Sequence, residues 1–163
     1  MIIVVFGLPG TGKSFLSRDL ADDISALYLD TDIVREKINK KGQYDEETKK
    51  EIYERILKEV SSPDAQERVV IVDGTFSSKS FRYMFNKQSW KLKRHLYYIE
   101  MKAADETIKK RMKKDRAHSE ADYSVYKRIK NAFDYMPEEH LVLRSDELEQ
   151  DEMKKKVKAL FNG

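Results

Sequence analysis

The residues whose types and spacing indicate chemistry most clearly lie near the start of the chain. Residues 7–14 read GLPGTGKS and match G-x-x-x-x-G-K-[ST] at every fixed position. Glycines let such a loop point its backbone N–H groups at phosphate oxygens, while Lys13 can reach the terminal phosphates and Ser14 can offer its hydroxyl to Mg²⁺. Chance is the alternative explanation, but a buried strand is predicted directly before the loop and a helix directly after it. A nucleotide-binding loop is therefore predicted, formed by Gly7, Leu8, Pro9, Gly10, Thr11, Gly12, Lys13 and Ser14.

An acidic residue ends another predicted buried strand. Asp73 follows the run 69–72, and at a strand end beside the loop it can hold the water shell of Mg²⁺ together with Ser14. The next residue is Gly74, whereas ATP-driven machines usually place a water-activating Glu there. The segment 86–89 reads NKQS and lacks the Asp of the guanine-reading N-K-x-D motif. ATP is therefore favoured over GTP, and phosphoryl transfer over mechanical work.

Asp32 and Arg35 follow the second predicted strand. Ligands in open α/β sheets bind at the carboxyl ends of the strands, so these residues should face the phosphates. Asp32 can accept the proton of an attacking hydroxyl, and Arg35, about one helical turn later, can hold the acceptor. The alternative is that Thr31 or Asp32 merely caps a helix and Arg35 is a surface charge.

Five short apolar strands that alternate with helices are predicted to position these residues. The strands are predicted at 2–6, 26–29, 69–72, 95–99 and 141–143, and the helices at 15–22, 33–39, 46–60, 78–87, 104–114, 122–135 and 149–161. Pro137 is predicted to stop the 122–135 helix, and 61–63 to end the 46–60 helix. This alternation predicts an α/β fold with a five-stranded parallel sheet, helices on both faces, and one domain over 1–163.

Taken in order, these features resemble the small P-loop kinases. That family includes polynucleotide 5′-kinases and, more distantly, gluconate, shikimate and chloramphenicol kinases. The resemblance covers nearly the whole chain and implies a P-loop NTPase three-layer sandwich that uses ATP and Mg²⁺. It also implies a helical lid at about 104–121 and acceptor-side helices at about 33–60.

The resemblance also assigns roles to individual residues. Asp32 and Arg35 fit the family's Asp-x-x-Arg, in which Asp is the general base and Arg holds the acceptor. Residues 73–76 resemble its Asp-x-Thr-Asn, although Phe76 stands where the family has Asn, which weakens the case for a polynucleotide acceptor. Thr75 and Arg82 match positions that bind substrate in the family.

The basic segment 109–116 resembles the mobile lid of these kinases. Arg111 and Arg116 match the lid arginines that fold over ATP and stabilise charge on the transferring phosphoryl group. The alternative is a solvated helix face, and that interpretation is kept for the four lysines of the segment. Residues 144–146 are predicted to form an adenine-side loop.

Composition limits the remaining possibilities. The chain has 163 residues, no cysteine and a net charge of +3, and no apolar stretch approaches a membrane span of about 20 residues. A cytoplasmic protein without membrane attachment is expected, and nucleic acid is possible but not favoured as a partner. The histidines show no metal-ligand spacing. Trp90 is expected to pack at the start of the fourth strand, with stacking on a base as the alternative.

The sequence therefore predicts a kinase that transfers the γ-phosphoryl group of ATP to a hydroxyl group of a small molecule or nucleoside-type substrate. Three alternatives stay open at this point: a polynucleotide 5′-hydroxyl kinase, a nucleoside monophosphate kinase, and a non-catalytic ATP-binding regulatory module. The acceptor and the oligomeric state are not indicated by any motif.

Overall fold

One parallel sheet organises the chain. The computed structural model describes residues 1–114 and 120–161. The strands are β1 (Ile2–Phe6), β2 (Leu27–Asp30), β3 (Val70–Asp73), β4 (Leu96–Lys102) and β5 (Leu141–Arg144). Their order across the sheet is β2-β3-β1-β4-β5, and every pairing is parallel. The predicted five-stranded parallel sheet is confirmed.

Helices cover both faces of this sheet. They are α1 (Lys13–Asp23), α2 (Thr31–Lys37), α3 (Glu46–Val60), α4 (Pro63–Glu67), α5 (Lys79–Leu92), α6 (Asp105–Lys114), α7 (Glu120–Asn131) and α8 (Gln150–Ala159). Alternate residues of β1 enter two separate cores, one against α3 and α5 and the other against α1 and α8. The sandwich follows because a parallel strand that is apolar on both faces must be covered on both. Within residues 1–114 and 120–161, no helix has the length and apolar character needed to cross a membrane.

The structure adds one helix to the predicted set and moves the ends of others. Pro63 does more than end α3, since it occupies the first turn of α4, whose N-cap Ser62 accepts a hydrogen bond from the Ala65 amide. Helix α7 ends at Asn131, well before Pro137, because the Asp134 amide bonds to the Ser77 carbonyl at 2.8 Å and draws the chain away. Helix α5 is longer than predicted and reaches Leu92. The predicted loop over 116–121 lies largely outside the described residues.

The prediction for Trp90 is wrong. Its side chain is 89% exposed, on the outer face of α5. Phe81, Arg82, Phe85 and Ser89 are the buried residues of that helix and set the face that meets the sheet. Trp90 directly follows Ser89 and so points away from the core, because neighbouring helical residues are about 100° apart.

Candidate active site

The phosphate loop has the backbone that its glycines predict. Gly7, Gly10 and Gly12 all have positive φ, at 141°, 79° and 90°. A Cβ at Gly7 would lie 2.4 Å from the Met101 carbonyl oxygen of β4, so only glycine fits there. Helix α1 begins at Lys13, directly after Gly12. The positive end of the helix dipole is therefore directed at the loop, as anion binding requires.

Three hydrogen bonds hold the loop in shape. The Thr11 hydroxyl and the Lys13 ammonium donate to the Leu8 carbonyl at 2.8 and 3.0 Å. The Ser145 hydroxyl, just beyond β5, donates to the Thr11 carbonyl at 2.7 Å. The loop is thus tied both to itself and to the segment predicted as the adenine side.

Lys13 interacts with three carboxylates, those of Asp30 and Asp73 at the ends of two neighbouring strands and that of Asp32 in the first turn of α2. Burial lowers the pKa of the Lys13 ammonium, and the charges of Asp73, Asp32 and Asp30 oppose that change. Burial raises the pKa of the Asp73 carboxyl, opposed by Lys13 and by a hydrogen bond from Ser14. The structure therefore brings together Lys13, Ser14, Asp32 and Asp73, four of the residues predicted from the sequence.

Three further residues of this cluster, Tyr28, Asp30 and Arg18, were missed by the sequence analysis. The Tyr28 hydroxyl lies 3.0 Å from one carboxylate oxygen of Asp30 and 3.0 Å from one of Asp73. The Arg18 guanidinium is 3.5 Å from the same Asp30 oxygen. The signal in the sequence was the alternation of Tyr28 and Asp30, because residues two apart on a strand share a face.

Asp32 and Arg35 form a pair at the start of α2. The cap of this helix is Asp30, whose carboxylate accepts a 2.7 Å hydrogen bond from the Asp32 amide, so the alternative that Thr31 or Asp32 is the cap is wrong. The Asp32 carboxylate is consequently free of that role, and its side chain is 77% exposed and ion-paired with Arg35. An exposed carboxylate beside the phosphate loop is accessible to an acceptor hydroxyl.

Arg35 is buried and connects α2 with the loop before α3. Its Nε donates to the Gln43 carbonyl at 3.1 Å, and its guanidinium lies 4.5 Å from the ring centroid of Tyr44. The alternative of a plain surface charge is therefore wrong. Arg35 therefore connects Asp32 with Gln43 and Tyr44.

The segment after β3 divides into a part at the site and a part in the core. The Thr75 carbonyl accepts a 3.4 Å hydrogen bond from the Gly7 amide, which places Thr75 beside the phosphate loop. Phe76 is fully buried, with its ring centroid 4.6 Å from that of Tyr53 and 5.0 Å from that of Phe85. Phe76 therefore contributes to the core and offers no surface to an acceptor.

Arg82 requires a correction, because the structure does not bring it to the acceptor side. It is buried on α5, where one terminal nitrogen donates to the Phe76 carbonyl at 2.7 Å and the other to the Asp134 carbonyl at 2.8 Å. A buried guanidinium needs such partners. We therefore interpret Arg82 as the anchor of the chain after α7.

Arg111 is the lid arginine that the structure describes. Its Nη1 donates to the Gly10 carbonyl at 3.1 Å and to the Ser145 hydroxyl at 2.9 Å, and its Nη2 donates to the Ser145 carbonyl at 3.0 Å. Arg111 thus lies against the phosphate loop, unlike a residue on a solvated helix face. Arg116, the second predicted lid arginine, lies outside the described residues.

The residues at the site fit Mg²⁺ and a nucleotide. The Ser14 hydroxyl and the Asp73 carboxylate are neighbouring oxygen donors, the type of ligand that Mg²⁺ takes together with phosphate oxygens. Backbone amides of a glycine-rich loop at a helix N-terminus suit the phosphates.

Comparisons with known proteins agree with this geometry. Residues 1–148 match the family described as chromatin associated protein KTI12. No curated protein sequence matches the chain.

Solved structures share the fold at low sequence identity. APE1195 is 19% identical with a TM-score of 0.80, covering 98% of this chain and 93% of its own. The Mycobacterium tuberculosis APS kinase CysC, in complex with AMPPNP and APS, is 18% identical with a TM-score of 0.80, covering 99% and 97%. A gluconokinase from Sinorhizobium meliloti 1021 is 16% identical with a TM-score of 0.75, covering 94% and 87%. The predicted likeness to small P-loop kinases is confirmed at the level of the fold.

Proposed function

We propose that this chain, which belongs to the family described as chromatin associated protein KTI12, is a kinase that transfers the γ-phosphoryl group of ATP to a hydroxyl group of a small molecule or nucleoside-type acceptor. The observation that carries the proposal is the placement of Lys13 among Asp30, Asp32 and Asp73. A loop that only bound nucleotide would need no exposed carboxylate beside it, and Asp32 is one.

The residues divide the work as follows. The loop amides and Lys13 hold the phosphates, and Ser14 and Asp73 are the ligands for Mg²⁺. When bound, Mg²⁺ neutralises charge on the phosphate oxygens. Asp32 accepts the proton of the acceptor hydroxyl as the new O–P bond forms and the bond to ADP breaks. Arg35 holds Asp32 in place, which keeps the base aligned with the acceptor.

Arg111 and Arg116 complete the proposed site from the lid. A planar guanidinium can bind two phosphate oxygens at once and stabilise charge that develops during transfer. In its observed position Arg111 supports this role, since it already contacts the Gly10 carbonyl in the loop. Thr75, beside the loop, is proposed to line the acceptor side.

A second candidate is favoured by the family's description. That description names association with chromatin and no phosphoryl transfer, which fits a module whose ATP occupancy controls a partner. A nucleic-acid acceptor would also suit that description, as in the 5′-hydroxyl kinase alternative. These candidates differ from the first in whether any acceptor stimulates ATP consumption and in which acceptor does so.

The test is phosphate transfer from ATP with MgCl₂ to a panel of acceptors. The panel contains 5′-hydroxyl oligonucleotides, nucleosides, nucleoside monophosphates, sugars, sugar acids and aminoglycosides. We expect one class of small molecule or nucleoside to accept phosphate. Transfer to oligonucleotides alone would replace our acceptor class, and ATP binding with no transfer to any acceptor would favour the regulatory module.

Asp32→Asn and Lys13→Ala divide the roles in the same assay. Asp32→Asn should bind ATP like the wild type and lose transfer by about 10²–10⁴-fold, the usual contribution of a general base. Lys13→Ala should lose both ATP affinity and turnover. Asp64→Asn is the matched control, because Asp64 is also an exposed helical carboxylate paired with an arginine, Arg68. Full transfer by Asp32→Asn would show that Asp32 is not the base.

A further inference from the structure

Tyr28 lies between two buried carboxylates, and its hydroxyl has no role in the proposed mechanism. Asp30 and Asp73 are directly paired residues on β2 and β3, so their side chains project from neighbouring strand ends. The Tyr28 hydroxyl lies 3.0 Å from Oδ2 of each. One phenol therefore joins the carboxylate proposed to hold the metal with the carboxylate that caps α2.

Each carboxylate also has a second partner near the site. Oδ1 of Asp30 accepts the 2.7 Å hydrogen bond from the Asp32 amide, which fixes the first turn of α2. The Asp73 carboxylate also interacts with Ser14. Tyr28 thus contacts both the carboxylate beside Ser14 and the carboxylate that caps the helix of the proposed base.

The energetics of this arrangement depend on the phenol. Two buried carboxylates side by side repel each other, and each loses solvation. The Arg18 guanidinium, 3.5 Å from Asp30, offsets part of this cost. A phenol is protonated at neutral pH, so the Tyr28 hydroxyl has one O–H proton to donate. The two carboxylates share that proton, and removal of the hydroxyl would take it from both.

We propose that Tyr28 is a positioning residue, whose hydroxyl orients Asp73 toward Mg²⁺ and, through Asp30, orients the turn that carries Asp32. This inference rests on the proposed function. Residues that hydrogen-bond to metal ligands commonly contribute about 10–100-fold to metal affinity or activity. A Tyr28→Phe variant keeps the ring and its packing and removes only the oxygen.

The experiment compares Tyr28→Phe with Tyr98→Phe. Tyr98, on β4, is a matched control because its buried hydroxyl also has two acceptors, the Arg82 carbonyl at 2.8 Å and Oδ1 of Asn86 at 3.0 Å, both on α5. Thermal unfolding of both variants without ligand checks that each is folded. ATP affinity is then measured by titration calorimetry with MgCl₂ and with EDTA.

In EDTA, Tyr28→Phe should bind ATP as tightly as the wild type. In MgCl₂, its affinity for ATP should be about 10–100-fold lower than that of the wild type. Its kcat should fall while KM for the acceptor stays the same. Tyr98→Phe should lower the melting temperature only. An unchanged magnesium effect in Tyr28→Phe would overturn the inference, and so would an equal loss in both variants. Because the readout is binding, it stands even if no acceptor is phosphorylated, so failure of the proposed function is recognised separately.

Discussion

The hydroxyl of Ser145 donates a 2.7 Å hydrogen bond to the carbonyl of Thr11, joining the end of β5 to the phosphate loop. The same hydroxyl accepts a 2.9 Å hydrogen bond from Arg111 of α6. One small side chain therefore connects the loop, the segment after β5 and α6. Contacts that hold the loop in one shape reduce the conformational entropy that nucleotide binding must remove.

Replacement of Ser145 by Ala should therefore weaken ATP binding. The loss of two hydrogen bonds worth about 1 kcal/mol each corresponds to about a 5–30-fold rise in Kd. Titration calorimetry measures this effect. Ser80→Ala on α5 is the control, since Ser80 has its hydroxyl paired with Ser78 away from the loop. An unchanged Kd would mean that the Leu8 contacts alone maintain the loop.

Arg35→Lys should separate positioning of the base from nucleotide binding. Lysine keeps the charge but cannot reproduce the fork that contacts both Asp32 and the Gln43 carbonyl while stacking on Tyr44. We expect unchanged ATP affinity and a kcat reduced by up to about 100-fold, because small misplacements of a catalytic group have effects of that size.

Steady-state kinetics with the acceptor identified by the panel measures the effect of Arg35→Lys. Arg55→Lys is the matched control. Arg55 also uses two nitrogens to contact one carboxylate, because its Nε and Nη2 donate to Oε1 of Glu51 at 3.1 and 2.9 Å, but this pair lies on the exposed face of α3. Equal activity of the two variants would contradict the positioning role of Arg35.

The sequence was informative where a role depends on near neighbours in the chain. The loop motif, its flanking strand and helix, and the Asp32–Arg35 pair at helical spacing all follow from local pattern. Tyr28 and Asp30 were missed because their role depends on the register of β2 against β3, which pairs Asp30 with Asp73. No local pattern specifies that register.

Arg82 and Trp90 show the same limit for burial. An arginine on a helix is usually exposed, but Arg82 donates to the backbone carbonyl of residue 76 and to those of residues 134 and 135, which are distant in the chain. Tryptophan is usually largely buried, but Trp90 is exposed because Phe81, Arg82, Phe85 and Ser89 form the buried face of α5. Tertiary contacts decide both cases.

Asp105, the first residue of α6, should make the free energy of unfolding depend on pH. Its carboxylate contacts Lys130 at 2.6 Å and the Tyr126 hydroxyl at 2.7 Å, so it joins α6 to α7. These contacts lower the pKa of Asp105 below its ordinary value of 3.8. A lowered carboxyl pKa means that the stabilisation is present above pH 3.8 and is lost as the pH falls through the pKa of the folded state.

The free energy of unfolding of wild type and Asp105→Asn, measured by urea at several pH values, checks this sign. The wild type should be the more stable at neutral pH, and the difference should shrink as the pH falls below 3.8. Asp64→Asn controls for a generic loss of surface charge, because Asp64 forms an exposed ion pair with Arg68. A difference that grew in acid would contradict the assignment.

Substitutions of Phe76 test whether this residue serves the core or the choice of acceptor. It has a positive φ of 47°, and its amide bonds to the Tyr53 hydroxyl at 3.0 Å while its carbonyl accepts from Arg82. Phe76→Ala should lower the free energy of unfolding by about 3–5 kcal/mol, as for other buried aromatic residues. Phe15→Ala is the control, because Phe15 is 66% exposed and should lose far less.

Phe76→Asn tests whether the family's residue at this position selects a polynucleotide. Asparagine tolerates the positive φ better than phenylalanine, but here its amide would be buried among Tyr53, Phe81 and Phe85. We expect lower stability in urea unfolding and no gain of transfer to 5′-hydroxyl oligonucleotides, since the side chain does not face the site. A gain of that activity in a folded variant would mean that residue 76 can reach the acceptor, and the assignment of Phe76 to the core alone would be wrong.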